Sequence, residues 1–167
     1  MARPAFTLLE VMVATIVIGI GLIGAASLIV QNIQAQYINK TALIASQLAQ
    51  EGLELVRNQR DENWVADNTW YAYTAGEDPA PGDSISFIID YEGNINDSVG
   101  SITNEGARLA INSEGYYTHG TGSPTPFYRL ITVENTGLGY LKVRCQVRSV
   151  ERGRHYDYEA KTLLYNW

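Results

Sequence analysis

A run of twenty residues without a charge, from Val11 to Val30, constrains this chain more than any other feature. As a helix the run is about 30 Å long, which matches the apolar thickness of a bilayer. A cleaved secretory signal has a shorter apolar run, of roughly 7 to 15 residues, followed by a small-residue cleavage site. The run therefore predicts a membrane-spanning helix. Arg3 precedes it and Lys40 follows it, which favours a cytoplasmic N-terminus and places the rest of the chain outside.

The helical pattern continues beyond Val30. We predict one helix from Phe6 to about Asn63, with Gly19, Gly21 and Gly24 as its only weak points. Two stripes follow its outer half: a heptad-like one (Tyr37, Ile44, Leu48, Glu51, Leu55) and a stripe of mostly small residues (Ile38, Ala42, Ala45, Ala49, Gly52, Val56). The small stripe is too short and too rich in alanine for a free coiled coil. We expect it to face a sheet.

The residues after the helix predict a β-rich domain with long loops. Ala75 to Asp83 is a loop, Ser84 to Tyr91 and Arg108 to Ile111 are strands, and Gly120 to Pro126 is a turn-rich connection. Three further strands, Phe127 to Glu134, Tyr140 to Val150 and His155 to Tyr165, form an antiparallel meander.

The apolar alternation predicts the register of the last hairpin. A turn at Arg152 and Gly153 places Val147 opposite Tyr158, Cys145 opposite Ala160, Val143 opposite Thr162, Leu141 opposite Leu164 and Arg148 opposite Asp157. The preceding hairpin matches Phe127, Ile131 and Val133 with Leu141, Val143 and Val147. It leaves Arg129 on the inward face, which the pattern does not explain.

Glu10 is a carboxylate at the start of the apolar run, where an unpaired charge is costly and implies a partner. The segment from Arg3 to Val11, RPAFTLLEV, resembles the processing site of type IV prepilins. In that family a membrane peptidase cleaves before a Phe, N-methylates it, and a Glu lies four residues further on. The resemblance implies cleavage between Ala5 and Phe6, where Ala5 stands in place of the usual Gly. It also implies that Glu10 pairs with the Phe6 amine of a neighbouring subunit. An ordinary signal anchor that happens to carry a Glu is the alternative.

A second resemblance covers residues 48–64, LAQEGLELVRNQRDENW, which is similar to the end of the long helix in PilV-like minor pilins. It implies an α+β, pilin-like fold, with the helix packed on a C-terminal antiparallel sheet. The expected organisation is a leader at 1–5, a transmembrane and assembly helix at 6–30, its amphipathic half at 31–64 and a β-rich head at 65–167. We expect Trp64, Trp70, Tyr71 and Tyr73 to anchor the loop after the helix onto the sheet.

The family resemblance implies a structural subunit of an extracellular pilus, which works by assembly. The partners implied are other pilin subunits, prepilin peptidase, the inner-membrane assembly platform and the membrane itself. Two alternatives stay open: a secretion pseudopilin in the periplasm, and an unprocessed membrane-anchored binding module outside the cell. The resemblance does not separate a pilus from a pseudopilus, because both share the processing site.

The sequence holds no recognisable catalytic, cofactor or metal motif, so we predict no enzyme activity, no cofactor and no metal. We place His119 and His155 on the surface, and we expect Cys145, the single cysteine, to be a buried small hydrophobe. The segment from Asp90 to Asp97 carries oxygen ligands at alternate positions, but a turn at Glu92, Gly93 and Asn94 explains it better than calcium.

The charge distribution disfavours bulk binding of nucleic acid. The net charge is −6, yet the last 28 residues hold six of the twelve basic residues and three of the eighteen acidic ones. The basic residues are Lys142, Arg144, Arg148, Arg152, Arg154 and Lys161. All of these except Lys161 could contact DNA or another anionic surface. We favour the alternative, that they form cross-strand ion pairs with Asp157 and Glu159 on the same face.

Overall fold

The computed structural model describes residues 7–69, 79–151 and 153–165. In chain order the elements are α1 (Leu8–Val65), β1 (Ser84–Ile89), β2 (Ile95–Asn96), a 3-10 helix (Glu105–Ala107), β3 (Arg108–Ile111), β4 (Tyr117–Thr118), β5 (Ser123–Asn135), β6 (Tyr140–Glu151) and β7 (Arg154–Tyr165). The predicted α+β fold class is confirmed: a long N-terminal helix precedes an antiparallel sheet of seven strands. The chain divides into two compact units between Thr41 and Ala42, and α1 contributes to both.

Helix α1 runs without a break from Leu8 to Val65, which confirms the predicted single helix over its described part. No proline occurs in this range, and apolar and helix-favouring side chains dominate it. Phe6, the predicted first residue, lies outside the described residues. Gly19, Gly21 and Gly24 do not interrupt the helix.

Strand β5 lies at the centre of the sheet. It pairs with β6 along one edge, and along the other edge it pairs with β1 near its end and with β3 near its start. Strand β7 then adds to β6 through twelve consecutive residue pairs, from Glu151 with Arg154 to Tyr140 with Tyr165. All five cross-strand pairs predicted for this hairpin are confirmed. Arg152, part of the predicted turn, lies outside the described residues.

Residues 42–65 of α1 pack their small stripe against the sheet. Ala45, Ala49 and Val56 are buried in one cluster with apolar strand residues, and Ile95 of β2 and Tyr117 of β4 pack against it. The buried strand residues are Phe87, Ile89, Leu109, Phe127, Ile131, Val133, Leu141, Val143, Cys145, Val147 and Leu164. The predicted inward face of β6 is therefore confirmed. Leu48 and Leu53 also belong to the cluster, because the sheet covers a part of the helix surface that is wider than the small stripe.

A second small core lies on the opposite face of the sheet. Ile88 and Leu130 alternate with inward-facing neighbours, and they pack against Val99, Ile102 and Ala107 from the connection between β2 and β3. Strand alternation alone assigns Ile88 and Leu130 to solvent. The long connection buries them, which the local pattern does not reveal.

The expectation for the segment before Phe127 is wrong. Residues 123–126, expected in a turn-rich connection, belong to β5, because Ser123 and Pro124 pair with Ile111 and Ala110 of β3. The prolines are tolerated because β6 pairing begins only at Phe127, so this part of β5 has strand pairing on one side only.

The expected contact of Ala42 with the sheet is also wrong: Ala42 is exposed, whereas Ile44 and Ala45 pack in or against the core cluster. Trp64 is exposed, whereas Arg60 and Asn63 of the same helical turn are buried; residues 70–78 of the loop that Trp64 was predicted to anchor lie outside the described residues. Trp70, Tyr71 and Tyr73 lie outside the described residues.

Candidate functional site

The first turn of α1 holds the one predicted assembly residue that the structure describes. The hydroxyl of Thr7 accepts a hydrogen bond from the Glu10 backbone N–H at 3.3 Å, and the Thr7 carbonyl accepts from Glu10 N–H at 3.1 Å and Val11 N–H at 3.3 Å. Thr7 is therefore the N-cap, which explains why the helix begins at Leu8. Ala5 and Phe6, the predicted processing residues, lie outside the described residues.

Glu10 sits at the third helical position and is exposed. The unpaired N–H groups of a helix N-terminus carry partial positive charge, which favours an acidic residue in the first turn. Thr7 and Glu10 together have the T-x-x-E spacing of a capping box. The local fold thus holds a negative charge at the start of the apolar run.

The apolar side chains after Glu10 are exposed along the whole run. The most apolar 18-residue window of α1 has a mean hydropathy of 2.5 and none of it is buried. A cylinder of exposed Ile, Leu and Val of this length needs a covering of lipid or of other helices. Around Gly19, Gly21 and Gly24 no described atom lies within 4 Å of an added Cβ, so these glycines leave notches where another helix can approach closely.

Arg129, which the strand pattern could not explain, joins α1 to the sheet. Its side chain is fully buried, and its Nη1 donates to Glu51 Oε1 at 2.9 Å and to the Leu48 carbonyl at 3.4 Å. Nη2 donates to the Ile89 carbonyl at 2.9 Å. The guanidinium thus connects α1 to β1 from its place on β5. The sequence signals for this pair were only the position of Glu51 on the heptad-like stripe and that of Arg129 on an inward face.

His119 is not the surface residue that we predicted. Both ring nitrogens are buried without a well-aligned hydrogen-bond partner among the described residues. Burial, followed by the positive charge of Arg129, lowers the pKa of His119 to about 4; the nearby backbone of Arg108 and Gly106 and the charge of Asp90 oppose this shift. His119 is therefore neutral near pH 7. His155 is exposed, as predicted.

Cys145 is fully buried between the sheet and α1, as predicted. Burial raises the pKa of its thiol to about 12, with Glu51 adding to this and Arg129 opposing it. A thiol that stays protonated and inaccessible is a poor nucleophile. It acts here as a small apolar group.

The basic residues of β6 form the predicted cross-strand ion pairs. Arg148 donates twice to Asp157, at 2.6 and 2.7 Å, and these bonds hold the pKa of Asp157 below its usual range. Arg144 pairs with Glu159 at 3.2 Å, and Lys142 pairs with Glu134 at 2.9 Å. Since each charge has a partner on the same face, this surface offers little unpaired charge to a polyanion.

Two tight turns of matching sequence, DYEGN at 90–94 and NSEGY at 112–116, lie side by side. In each, the first side chain accepts hydrogen bonds from the backbone N–H groups of the third and fifth residues, and the glycine has positive φ. The predicted turn at Glu92 to Asn94 is confirmed. The rings of Tyr91 and Tyr116 stack with their centroids 5.1 Å apart, so the two turns are in contact. Among the described residues no three His, Cys, Asp or Glu side chains cluster as metal ligands do.

The N-terminal segment matches a known family. Residues 1–26 match the family model described as "Prokaryotic N-terminal methylation motif". Comparisons with curated proteins and with solved structures give no match. The matched segment contains Ala5, Phe6 and Glu10 and extends into the exposed apolar helix. The N-terminal segment is therefore similar to the methylation motif of prokaryotic prepilin-like proteins, and in this chain it leads into a long helix that precedes an antiparallel sheet.

Proposed function

We propose that this chain is a prepilin whose product is a structural subunit of an extracellular type IV pilus, in the role of a minor pilin. One observation carries the proposal: the methylation motif at residues 1–26 leads into a helix whose apolar run from Val11 to Val30 is exposed. Lipid covers that surface before assembly, and the helices of neighbouring subunits cover it afterwards. The same segment thus serves as membrane anchor and as filament core.

Processing by prepilin peptidase occurs between Ala5 and Phe6. The leader, residues 1–5, carries the Arg3 charge that keeps it on the cytoplasmic side. Cleavage exposes a new ammonium on Phe6, only four residues before Glu10. Residues 6–30 then form the assembly helix, 31–64 its amphipathic half and 65–167 the head.

Glu10 neutralises that ammonium on a neighbouring subunit. Each charge alone is costly in lipid or in a dry helix bundle, and both costs fall when the two groups meet. Thr7 caps the helix and fixes the backbone at Glu10 within its own chain. A subunit is therefore held at the axial position where its Glu10 meets the amine of the next one.

The assignment to a minor pilin rests on residues 48–64, which are similar to PilV-like sequences. Assembly then requires the inner-membrane platform and other pilin subunits. Nucleic acid is a possible but disfavoured partner, because Lys142, Arg144 and Arg148 of β6 are already in ion pairs. A secretion pseudopilin uses the same processing and the same helix contacts, so the two roles differ in location: the cell surface or the periplasm.

Mass spectrometry of the N-terminal peptide tests the proposal. We expect cells with prepilin peptidase to yield N-methyl-Phe6, and cells without it to yield residues 1–5 still attached. Sheared surface filaments should contain the processed chain in much smaller amount than the main subunit. Uncleaved chain in peptidase-containing cells, absent from any filament, would instead identify a membrane-anchored binding module. Processed chain that stays in the periplasm would identify a pseudopilin.

A further inference from the structure

Among the strands that the structure describes, the sheet has one long edge without a neighbour. Three strands lie at the edges of the sheet: β2, β4 and β7. Strands β2 and β4 have only two residues each, whereas β7 has twelve and pairs, among the described strands, with β6 alone. Strand β7 contains no proline, and no bulge interrupts its register. An edge of this length and regularity can accept another strand.

Side chains on both faces of β7 are exposed next to this edge. Tyr156 and Tyr158, on the face toward α1, are 47% and 38% exposed, and Leu163 and Tyr165, on the other face, are 48% and 51% exposed. A strand added to the edge would cover part of this apolar surface. Lys161 is also exposed, and within the chain it forms an ion pair with Glu159 on the same face at 2.9 Å.

The charge sequence of β7 is complementary to itself in one antiparallel register. When Ala160 lies on a two-fold axis, Glu159 of each chain faces Lys161 of the other, and Tyr158 faces Thr162. A shift of the register by two residues in one direction places the two Glu159 side chains opposite each other. A shift in the other direction places the two Lys161 side chains opposite each other. The register with Ala160 on the axis also overlaps residues 155–165, almost the whole strand.

We propose that the β7 edge is a docking surface for a second copy of this chain, paired antiparallel about Ala160. The contact is isologous, which means that the same surface of each chain takes part. Its two-fold axis is perpendicular to the sheet, so helix residues 42–65 of the second chain run in the opposite direction. Subunits of one filament are related by a screw operation that keeps this direction constant. The pairing therefore joins chains of two different filaments, or chains not yet assembled. Only this statement about filaments rests on the proposed function.

Disulfide cross-linking of the full-length chain in detergent tests the register. Directly opposite residues of paired strands have Cα atoms about 4.5 to 5.5 Å apart, within the range of a disulfide. We expect Ala160→Cys to form a dimer under mild oxidation. Leu163→Cys is the control, because the two copies of residue 163 would be six residues out of register, roughly 20 Å apart. The native Cys145 is fully buried and stays in place in all variants.

Charge reversal then tests the pairing. On the Ala160→Cys background, Lys161→Glu alone and Glu159→Lys alone each place like charges opposite each other in the homodimer, which should lower cross-linking about tenfold. A mixture of the two variants restores both opposite-charge pairs, so we expect the mixed dimer, identified by a mass tag on one chain, to recover. A folding defect in either variant would not be corrected by mixing.

Equal cross-linking at residues 160 and 163, absence of a dimer at residue 160, or failure of the mixed pair to recover would each overturn the proposal. These measurements use the chain in detergent, whether or not residues 1–5 have been removed. They therefore do not depend on the outcome of the N-terminal mass spectrometry.

Discussion

Gly52 offers the sharpest test of how α1 packs on the sheet. A Cβ added at this position would lie 2.5 Å from the Cys145 sulfur and 3.3 Å from Arg129 Cδ, whereas ordinary contacts are 3.4 to 4 Å. Cys145 has no free space, because it is fully buried. Gly52→Ala therefore forces a shift of about 1 Å in a dense core, at a cost of about 3 kcal/mol. The gain in helix propensity, about 1 kcal/mol, leaves a net destabilisation of about 2 kcal/mol.

The matched variant removes the atom that clashes. Cys145→Ala alone should cost about 1 kcal/mol through the small cavity that it leaves. With both substitutions the new methyl fills the space of the lost sulfur, so the double variant should be close to the wild type in stability. The coupling between the two sites is then about 2 to 3 kcal/mol, at the upper end for residues in contact.

Urea or thermal unfolding of a truncated chain that begins at Gln31 measures all four members of this cycle. The single Gly52→Ala variant should melt about 5 to 10 °C below the wild type. Additive effects, or a Gly52→Ala variant more stable than the wild type, would show that the helix face at Gly52 does not meet β6 as described.

Four further outcomes are expected. Ala49→Trp should destabilise the same truncated chain by about 3 kcal/mol or more through overpacking, while Ala42→Trp, at an exposed position, should leave its midpoint almost unchanged; equal effects would contradict the helix rotation. Because the folded-state pKa of His119, about 4, is below the ordinary 6.5, the unfolded chain takes up a proton first as pH falls, so stability should decrease from pH 6.5 to pH 4 by about 1 to 3 kcal/mol. That component should disappear from pH-dependent urea titrations of His119→Phe and remain in those of His155→Phe. Arg129→Ala, which leaves Glu51 and two carbonyls without their buried donor, should cost about 3 to 5 kcal/mol of unfolding free energy; a loss below about 1 kcal/mol would mean that the ion pair is dispensable. Glu10→Ala and Glu10→Lys should insert into the membrane normally but be depleted from sheared filaments, and wild-type incorporation would argue against the proposed pairing.

The features that follow from local periodicity could be predicted from the sequence. The helix was identified because a run of twenty uncharged residues, long enough to span a membrane, is followed by apolar and small residues that recur with the helical period. The register of β6 and β7 was predictable because a slip of one residue would turn every apolar side chain to the wrong face. Glu10 was identifiable for a related reason: a carboxylate beside twenty uncharged residues has no local explanation.

The strand formed by residues 123–126 shows where local rules fail. Its two prolines and the preceding glycine are typical of a loop between two elements. Only the pairing with β3 makes the segment a strand, and that pairing depends on residues more than ten positions away. The second core around Ile88 and Leu130 has the same origin, because a distant connection covers a face that alternation assigns to solvent.

The sequence by itself determined the elements whose side chains repeat with the period of a helix or a strand, together with the charged group that interrupts such a repeat. The tertiary structure alone decided what each non-repeating residue does. Arg129 is a tie between α1 and β1 because Glu51 and two carbonyls converge on it, and His119 is neutral because the chain buries it near that guanidinium. The physical reason is that periodicity encodes which face is buried, whereas hydrogen-bond partners and local charge come from residues far apart in the chain.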